Sequence, residues 1–184
     1  PESAGAFPGP ACYSRGGTRA TITDAHAVIG SLSEESFQGS GVLFAREKAL
    51  DVIEREVARP MGWDVAKAAH AVVNIAIANM IEMIRLATVN RGLDPTKFSM
   101  IAFGGAGPLH ASAVAKSSGL KEVIIPPFPG MFSGLGAVWS ELRHDVSVSI
   151  LTSLNNLTMP LLKSSFKALS DKLEKLISND QQSI

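Results

Sequence analysis

The chain has 184 residues, 46% of them apolar, with 17 basic residues matched by 17 acidic ones. That composition supports a substantial core and excludes disorder, while zero net charge gives no electrostatic footing for nucleic acid or an anionic membrane surface. The single cysteine, Cys12, excludes an intrachain disulfide framework and suits a reducing, cytosolic setting.

Residues 1–20 are loop-like, punctuated by Pro8-Gly9-Pro10 and Gly16-Gly17. The chain opens on Pro1 in mid-loop and shows no signal-peptide pattern, so it is expected to be part of something longer. Thr21 to Leu32 is a short helical stretch, with Thr23 or Asp24 as its cap and Gly30 as its stop. Phe44 to Ala58 is an amphipathic helix. Ala45, Ala49, Val52, Ile53 and Val57 share one face, Asp51 and Arg55 form an i,i+4 pair on the other, and Pro60 with Gly62 ends it.

Asp64 caps a long helix that runs to about Asn90, with Gly92 as its stop. Its polar stripe is narrow, made of Lys67, His70, Asn74, Arg85 and Thr88, which predicts burial on most sides between a sheet and another helix. Asn79 lies away from that stripe and Glu82 at its edge. No unbroken apolar run reaches the roughly 18 residues that a bilayer span needs.

Two apolar runs, Phe98 to Phe103 and Lys121 to Ile125, flank a helix over 109–117, an order that predicts a βαβ unit with parallel strands. Ser133 to Leu142 is a short helix. Val146, Val148 and Ile150 alternate with polar residues, the pattern of a half-buried strand. Thr158 starts a last helix with Pro160 in its first turn, and Leu162, Phe166, Leu169, Leu173 and Leu176 form its docking face. The division expected is 1–43 as a loop-rich segment, 44–151 as a helical and βαβ core, and 152–184 as the start of a helical region.

The most informative stretch is Ile101-Ala-Phe-Gly-Gly-Ala-Gly-Pro-Leu-His110. A strand delivers Gly104, Gly105 and Gly107 to one point, and a helix leaves from it. Glycine lets the backbone approach a ligand without a Cβ in the way, and the free N–H groups of a helix start favour phosphate. A plain strand-to-helix turn is equally open on the local sequence. Neither the P-loop nor the dinucleotide fingerprint fits, because no Lys-Ser/Thr pair follows and Gly-Gly-x-Gly is not G-x-G-x-x-G.

Other residues divide between chemistry and structure. His110 sits where it donates to an anion or bonds locally. Arg15, among loop residues, is a candidate anion contact. Asp24 is a helix cap or a cleft residue. Cys12 has no second Cys or near His and is expected to be buried and inert. His144-Asp145 is expected to be structural, and Trp63 and Trp139 are expected to pack in a core or between lobes. No metal-ligand spacing stands out.

The glycine loop in context, Phe98 to Ala111, resembles the hydantoinase A / 5-oxoprolinase family. Three further segments agree, in order: Ser3 to Gly17 with its Gly-Pro-Ala-Cys-Tyr-x-Arg-Gly-Gly ending, Thr21-Ile-Thr-Asp-Ala25, and Pro126 to Gly136 followed by Leu142-Arg-His-Asp145. One departure is Phe7, where the family usually has an acidic residue.

The resemblance implies an α/β chain that is part of an actin/Hsp70-like (RNase H-like) ATPase lobe. Gly104, Gly105, Ala106 and Gly107 would then cradle ATP, with Asn79 and Glu82 as candidate contacts to adenine or ribose; His110 and Arg15 stand beside them as the anion-contact candidates named above. It implies ATP and Mg2+ as cofactors of the full-length protein and a cyclic amide as substrate, phosphorylated on its lactam oxygen and then opened by water. A hydantoinase B-type partner subunit or domain, an oligomer and a cytoplasmic location follow from the same resemblance, with neither nucleic acid nor membrane as partner. Relatives also include ATP-dependent ketone carboxylase subunits, and a non-catalytic actin-like nucleotide-binding subunit is the third alternative. No Asp-x-Gly-Gly-Thr phosphate loop occurs here, so the catalytic residues are unassigned and the chain alone is expected to be inactive.

Overall fold

A computed structural model describes residues 3–141 and 143–181. The chain divides into two compact units, Pro1–Gly134 and Leu135–Ile184. It is rich in helix, with one small parallel sheet.

The first unit is built around helices α1 (Ile22–Ile29), α2 (Arg46–Ile53), α3 (Arg59–Met61) and α4 (Val65–Ala87). Thr21, not Thr23 or Asp24, is the N-cap of α1, and Asp24 closes a capping box from the third helical position. Gly30 ends α1 in the left-handed conformation, where a Cβ is costly. Arg46 then reaches across from α2 and donates to the carbonyls of Ala27 and Val28, at 3.0 and 2.7 Å, satisfying acceptors that α1 leaves open at its end. The expected face of α2 is buried at Ala45, Ala49, Val52 and Ile53, and Arg55 pairs with Asp51 at 3.0 Å.

Pro60 does not end this helical stretch. The backbone widens into a π-helical turn over Glu54–Ala58 and continues through α3 to Gly62. A proline without an N–H fits there because the regular ladder is already broken.

Asp64 caps α4 by accepting the Lys67 N–H at 2.8 Å. Ala68, Ala69 and Val73 share one buried cluster with Ala25, Ala27, Ala49, Val52, Ile53 and Cys12. The expectation that α4 is buried on most sides is corrected: Ile75, Met83 and Leu86 are exposed. Small alanines let α1 approach closely, so only one strip of α4 is covered. Thr88, assigned to the polar stripe, is buried and donates to the Ile84 carbonyl at 2.7 Å, which satisfies its hydroxyl without water. The span Val65–Arg91 is, by length and composition alone, apolar enough to cross a membrane, with mean hydropathy 1.5. Counting unbroken apolar runs missed this, because isolated polar residues interrupt the span without lowering its mean below that of a span.

The βαβ unit is present as β1 (Ser99–Ile101), α5 (Gly107–Ser118) and β2 (Glu122–Ile124), with Met100 opposite Val123 in parallel register. Both strands are shorter than the apolar runs that predict them. Val146–Ile150 forms no strand, and Val148 is exposed. Alternation by itself does not make a strand where no neighbour supplies the ladder. Helix α6 (Phe132–Trp139) ends before Leu142, which lies outside the described residues. Trp139 is exposed rather than packed in a core, while Trp63 is half-buried under the Lys67 ammonium, 4.7 Å from its ring centroid. In the second unit α7 (Met159–Gln181) starts after Thr158 as expected, with Leu162, Leu169 and Leu173 half-buried but Phe166 exposed.

Candidate functional site

The glycine turn is held from both sides. Ala102, buried, continues the sheet by donating to the Ile124 carbonyl at 2.9 Å. Two residues on, Gly104 adopts φ +83 and donates its N–H to the Pro129 carbonyl at 2.8 Å. That φ requires glycine or strains any other residue. Ala106 then N-caps α5 with no side-chain hydrogen bond, and Gly107 and Pro108 open the helix. Proline fits this position because its missing N–H is one the helix start would leave unpaired. A Cβ added to Gly104 or Gly105 would meet no atom within 4 Å. Phe128, just before Pro129, is also left-handed at φ +53, which is uncommon for a bulky residue and draws attention to the same corner.

His110 follows within the first turn of α5. It is buried and lies edge-on to His26 of α1, ring centroids 4.7 Å apart at 65°. Burial holds the His110 ring below the ordinary histidine range, and burial followed by repulsion from His110 does the same to His26. His26 had no role in the sequence reading. Its single signal there is placement two residues after Asp24, on the opposite side of α1.

Asp24 resolves as a structural organiser. Fully buried, its carboxylate accepts the N–H groups of Cys12 (2.8 Å), Thr21 (3.1 Å) and Ala11 (3.3 Å), and the Thr21 hydroxyl at 2.7 Å. The loop is closed further by the Cys12 carbonyl, which accepts Ala45 N–H at 2.8 Å. Cys12 is free and fully buried, and burial together with the Asp24 carboxylate pushes its thiol far above the usual range. Such a thiol is not a nucleophile at neutral pH.

The remaining candidates are dispersed. Asn79 and Glu82 are exposed on α4, which packs against α5. Arg15 is exposed in the N-terminal loop, as is Phe7. A separate cleft of about 430 Å³ lies between that loop and α2, lined by Ser14, Gly17, Lys48, Asp51 and Arg55 among others. Arg143 pairs with Asp145 at 2.8 Å, so that carboxylate has a local partner.

The turn fits a phosphate in one respect, the unscreened backbone at Gly104 and Gly105 beside an uncapped helix start. For a metal the side chains do not fit. Among the described residues no group of three or more His, Cys, Asp or Glu gathers at one place.

The family model described as hydantoinase/oxoprolinase matches residues 1–146. The chain is 36% identical over 145 residues to the caprolactamase subunit alpha of Pseudomonas jessenii, covering 79% of this chain and 21% of that protein. It is 35% identical over 144 residues to the acetophenone carboxylase gamma subunit of Aromatoleum aromaticum, covering 78% of this chain and 19% of that one. The crystal structure of the ATP-dependent caprolactamase from Pseudomonas jessenii superposes with a TM-score of 0.71 at 29% identity, over 95% of this chain and 26% of that chain. The chain therefore spans about a fifth of the length of the curated relatives.

Proposed function

Because the chain belongs to the hydantoinase/oxoprolinase family, we propose that it is the nucleotide-side segment of an ATP-dependent cyclic-amide hydrolase. On this reading residues 1–43 and 44–151 belong to the second lobe of an actin/Hsp70-like ATPase, and 152–184 begin a helical region. The observation that carries the proposal is the Gly104 turn: a left-handed glycine pinned by the Pro129 carbonyl, with open space where side chains would stand. Backbone N–H groups of Gly105, Ala106 and Gly107 orient the phosphates, and Arg15, exposed on the N-terminal loop, is a further candidate anion contact. Asn79 and Glu82, exposed on α4, are the candidate contacts to adenine or ribose. When bound, ATP supplies phosphoryl activation of the amide oxygen, after which water opens the ring. Mg2+ would neutralise phosphate charge, and no described residue of this chain is assigned to hold it. A partner subunit of the hydantoinase B type, an oligomeric assembly and a cytosolic location complete the proposal.

A second reading, a subunit of a ketone carboxylase, is favoured by the 35% identity to the acetophenone carboxylase subunit, nearly that to the caprolactamase. ATP turnover by the full-length complex separates the two. Stimulation by caprolactam, hydantoin or 5-oxoproline supports the hydrolase, and stimulation by ketone plus bicarbonate replaces it with the carboxylase. ATP binding that neither substrate class converts into turnover points to a non-catalytic subunit.

A further inference from the structure

Two imidazoles meet in the interior without ordinary hydrogen-bond partners. Both ring nitrogens of His26 and Nδ1 of His110 are buried, with no partner among the described residues. Unpaired buried polar atoms are costly, so two such rings side by side call for a purpose. They are held by edge-to-face contact with each other, at 4.7 Å between centroids. The contact joins two regions of different character. Helix α1 is anchored at its start by Asp24, which ties down Ala11, Cys12 and Thr21. Helix α5 begins at Gly107, three residues before His110, and has no side-chain cap of its own.

We propose that His26 is a positioning residue for the glycine turn: its ring seats His110 and, through it, the first turn of α5 that carries Gly104–Gly107. The pair thereby supplies from the side the restraint that a capping side chain would supply at the helix end. Leu109 N–H, donated to Ala106 at 3.1 Å, and Gly104 N–H, donated to Pro129 at 2.8 Å, are the bonds that loosen if the seat is lost.

The test uses the full-length protein as wild type, H26A and H26F. Two quantities are measured: hydrogen–deuterium exchange over residues 104–111, and the Kd for MgATP. H26A is expected to raise both about tenfold. H26F keeps an aromatic edge against His110 and is expected to return both to within about twofold of wild type. If H26A does not fold, H26L carries the same comparison, since it fills the space without an aromatic edge and is expected to show the raised exchange. Unchanged exchange over 104–111 in the Ala or Leu variant, with only Tm lowered, overturns the proposal. That the turn serves a nucleotide rests on the functional reading above. A wild type that does not bind MgATP, with exchange still responding to these variants, overturns that reading and leaves the positioning role standing.

Discussion

The chain carries two glycine pairs in loops, Gly16-Gly17 and Gly104-Gly105, and they differ in what surrounds them. A Cβ on Gly17 would run into the Gly9 carbonyl oxygen and lie 2.9 Å from Ala11 N, both backbone atoms. A Cβ on Gly104 or Gly105 would meet nothing within 4 Å. Gly17 is therefore explained by packing, since glycine lets the N-terminal loop fold onto itself there, and Gly16 by its left-handed φ of +96. The second pair is not explained by packing at all. Only the left-handed φ of Gly104 gives it a conformational reason, and Gly105 lacks even that. The open space at Gly104 and Gly105 leaves room for the close backbone approach that the proposed nucleotide site requires.

The sharpest test of this contrast is Gly17→Ala. The clashing atoms are backbone and cannot rotate away, so the cost should exceed about 4 kcal/mol, enough to abolish folding of a marginally stable domain. Loss of the cooperative thermal transition is the expected readout, and a Tm within a few degrees of wild type would break the comparison. Next in size is Asp24→Ala, which strands the buried N–H groups of Ala11 and Cys12 and removes half of the α1 capping box. A loss of about 3–5 kcal/mol in denaturant unfolding is expected. The same variant should make Cys12 reactive toward a thiol reagent to which the native protein is inert.

These two residues also show where sequence was a sufficient guide and where it was not. The helices were legible because caps, stops and apolar faces are local, as at Asp64, Gly30 and the Ala49–Ile53 face. The order strand, glycine turn, helix, strand was legible for the same reason. Asp24 was visible as a cap, but its bonds to Cys12 and Ala11 span 12 and 13 residues, and no local pattern records that. His26 was marked only by its place two residues after Asp24, since its meaning comes from a ring 84 positions away. Val146–Ile150 failed in the opposite direction, with a strand pattern and no neighbouring strand to pair with. In the candidate site, His110 follows the glycine turn along the chain, but its buried ring lies against His26 rather than in a local hydrogen bond at Nδ1. Asn79 and Glu82 were chosen by resemblance and Arg15 by its place among loop residues, and their exposure gives each side chain no fixed direction.

The histidine pair predicts a pH dependence that belongs to the packed side of the contrast. Burial lowers both rings below the ordinary value of 6.5, so the folded state binds fewer protons than the unfolded chain in the range just below it. Stability is therefore fully present above about pH 6.5 and falls as the pH drops through that value, by at most about 1.4 kcal/mol per pH unit for each ring. Burial lowers His110, and burial followed by repulsion from His110 lowers His26, so both rings act in the same direction. Urea midpoints measured between pH 7.5 and 5 should fall along this course, and H110F, which removes one of the two rings, should make the fall shallower. A midpoint that stays constant over that range in the wild type would show that the rings are not held neutral by burial.

The smallest effect on stability is expected from Gly104→Ala, and it is the most informative for function. The new methyl has open space, so the cost is the left-handed φ alone, about 1 kcal/mol. The Pro129 carbonyl still accepts the same N–H, and the sheet and α5 are untouched. If the turn merely links β1 to α5, MgATP affinity of the full-length protein should be unchanged once this small loss is allowed for. If the open backbone is the surface a phosphate approaches, the methyl occupies that space and the Kd should rise at least about tenfold. Gly17→Ala cannot make this distinction, because it removes the fold along with the site. Gly104→Ala separates them because packing asks so little of that glycine.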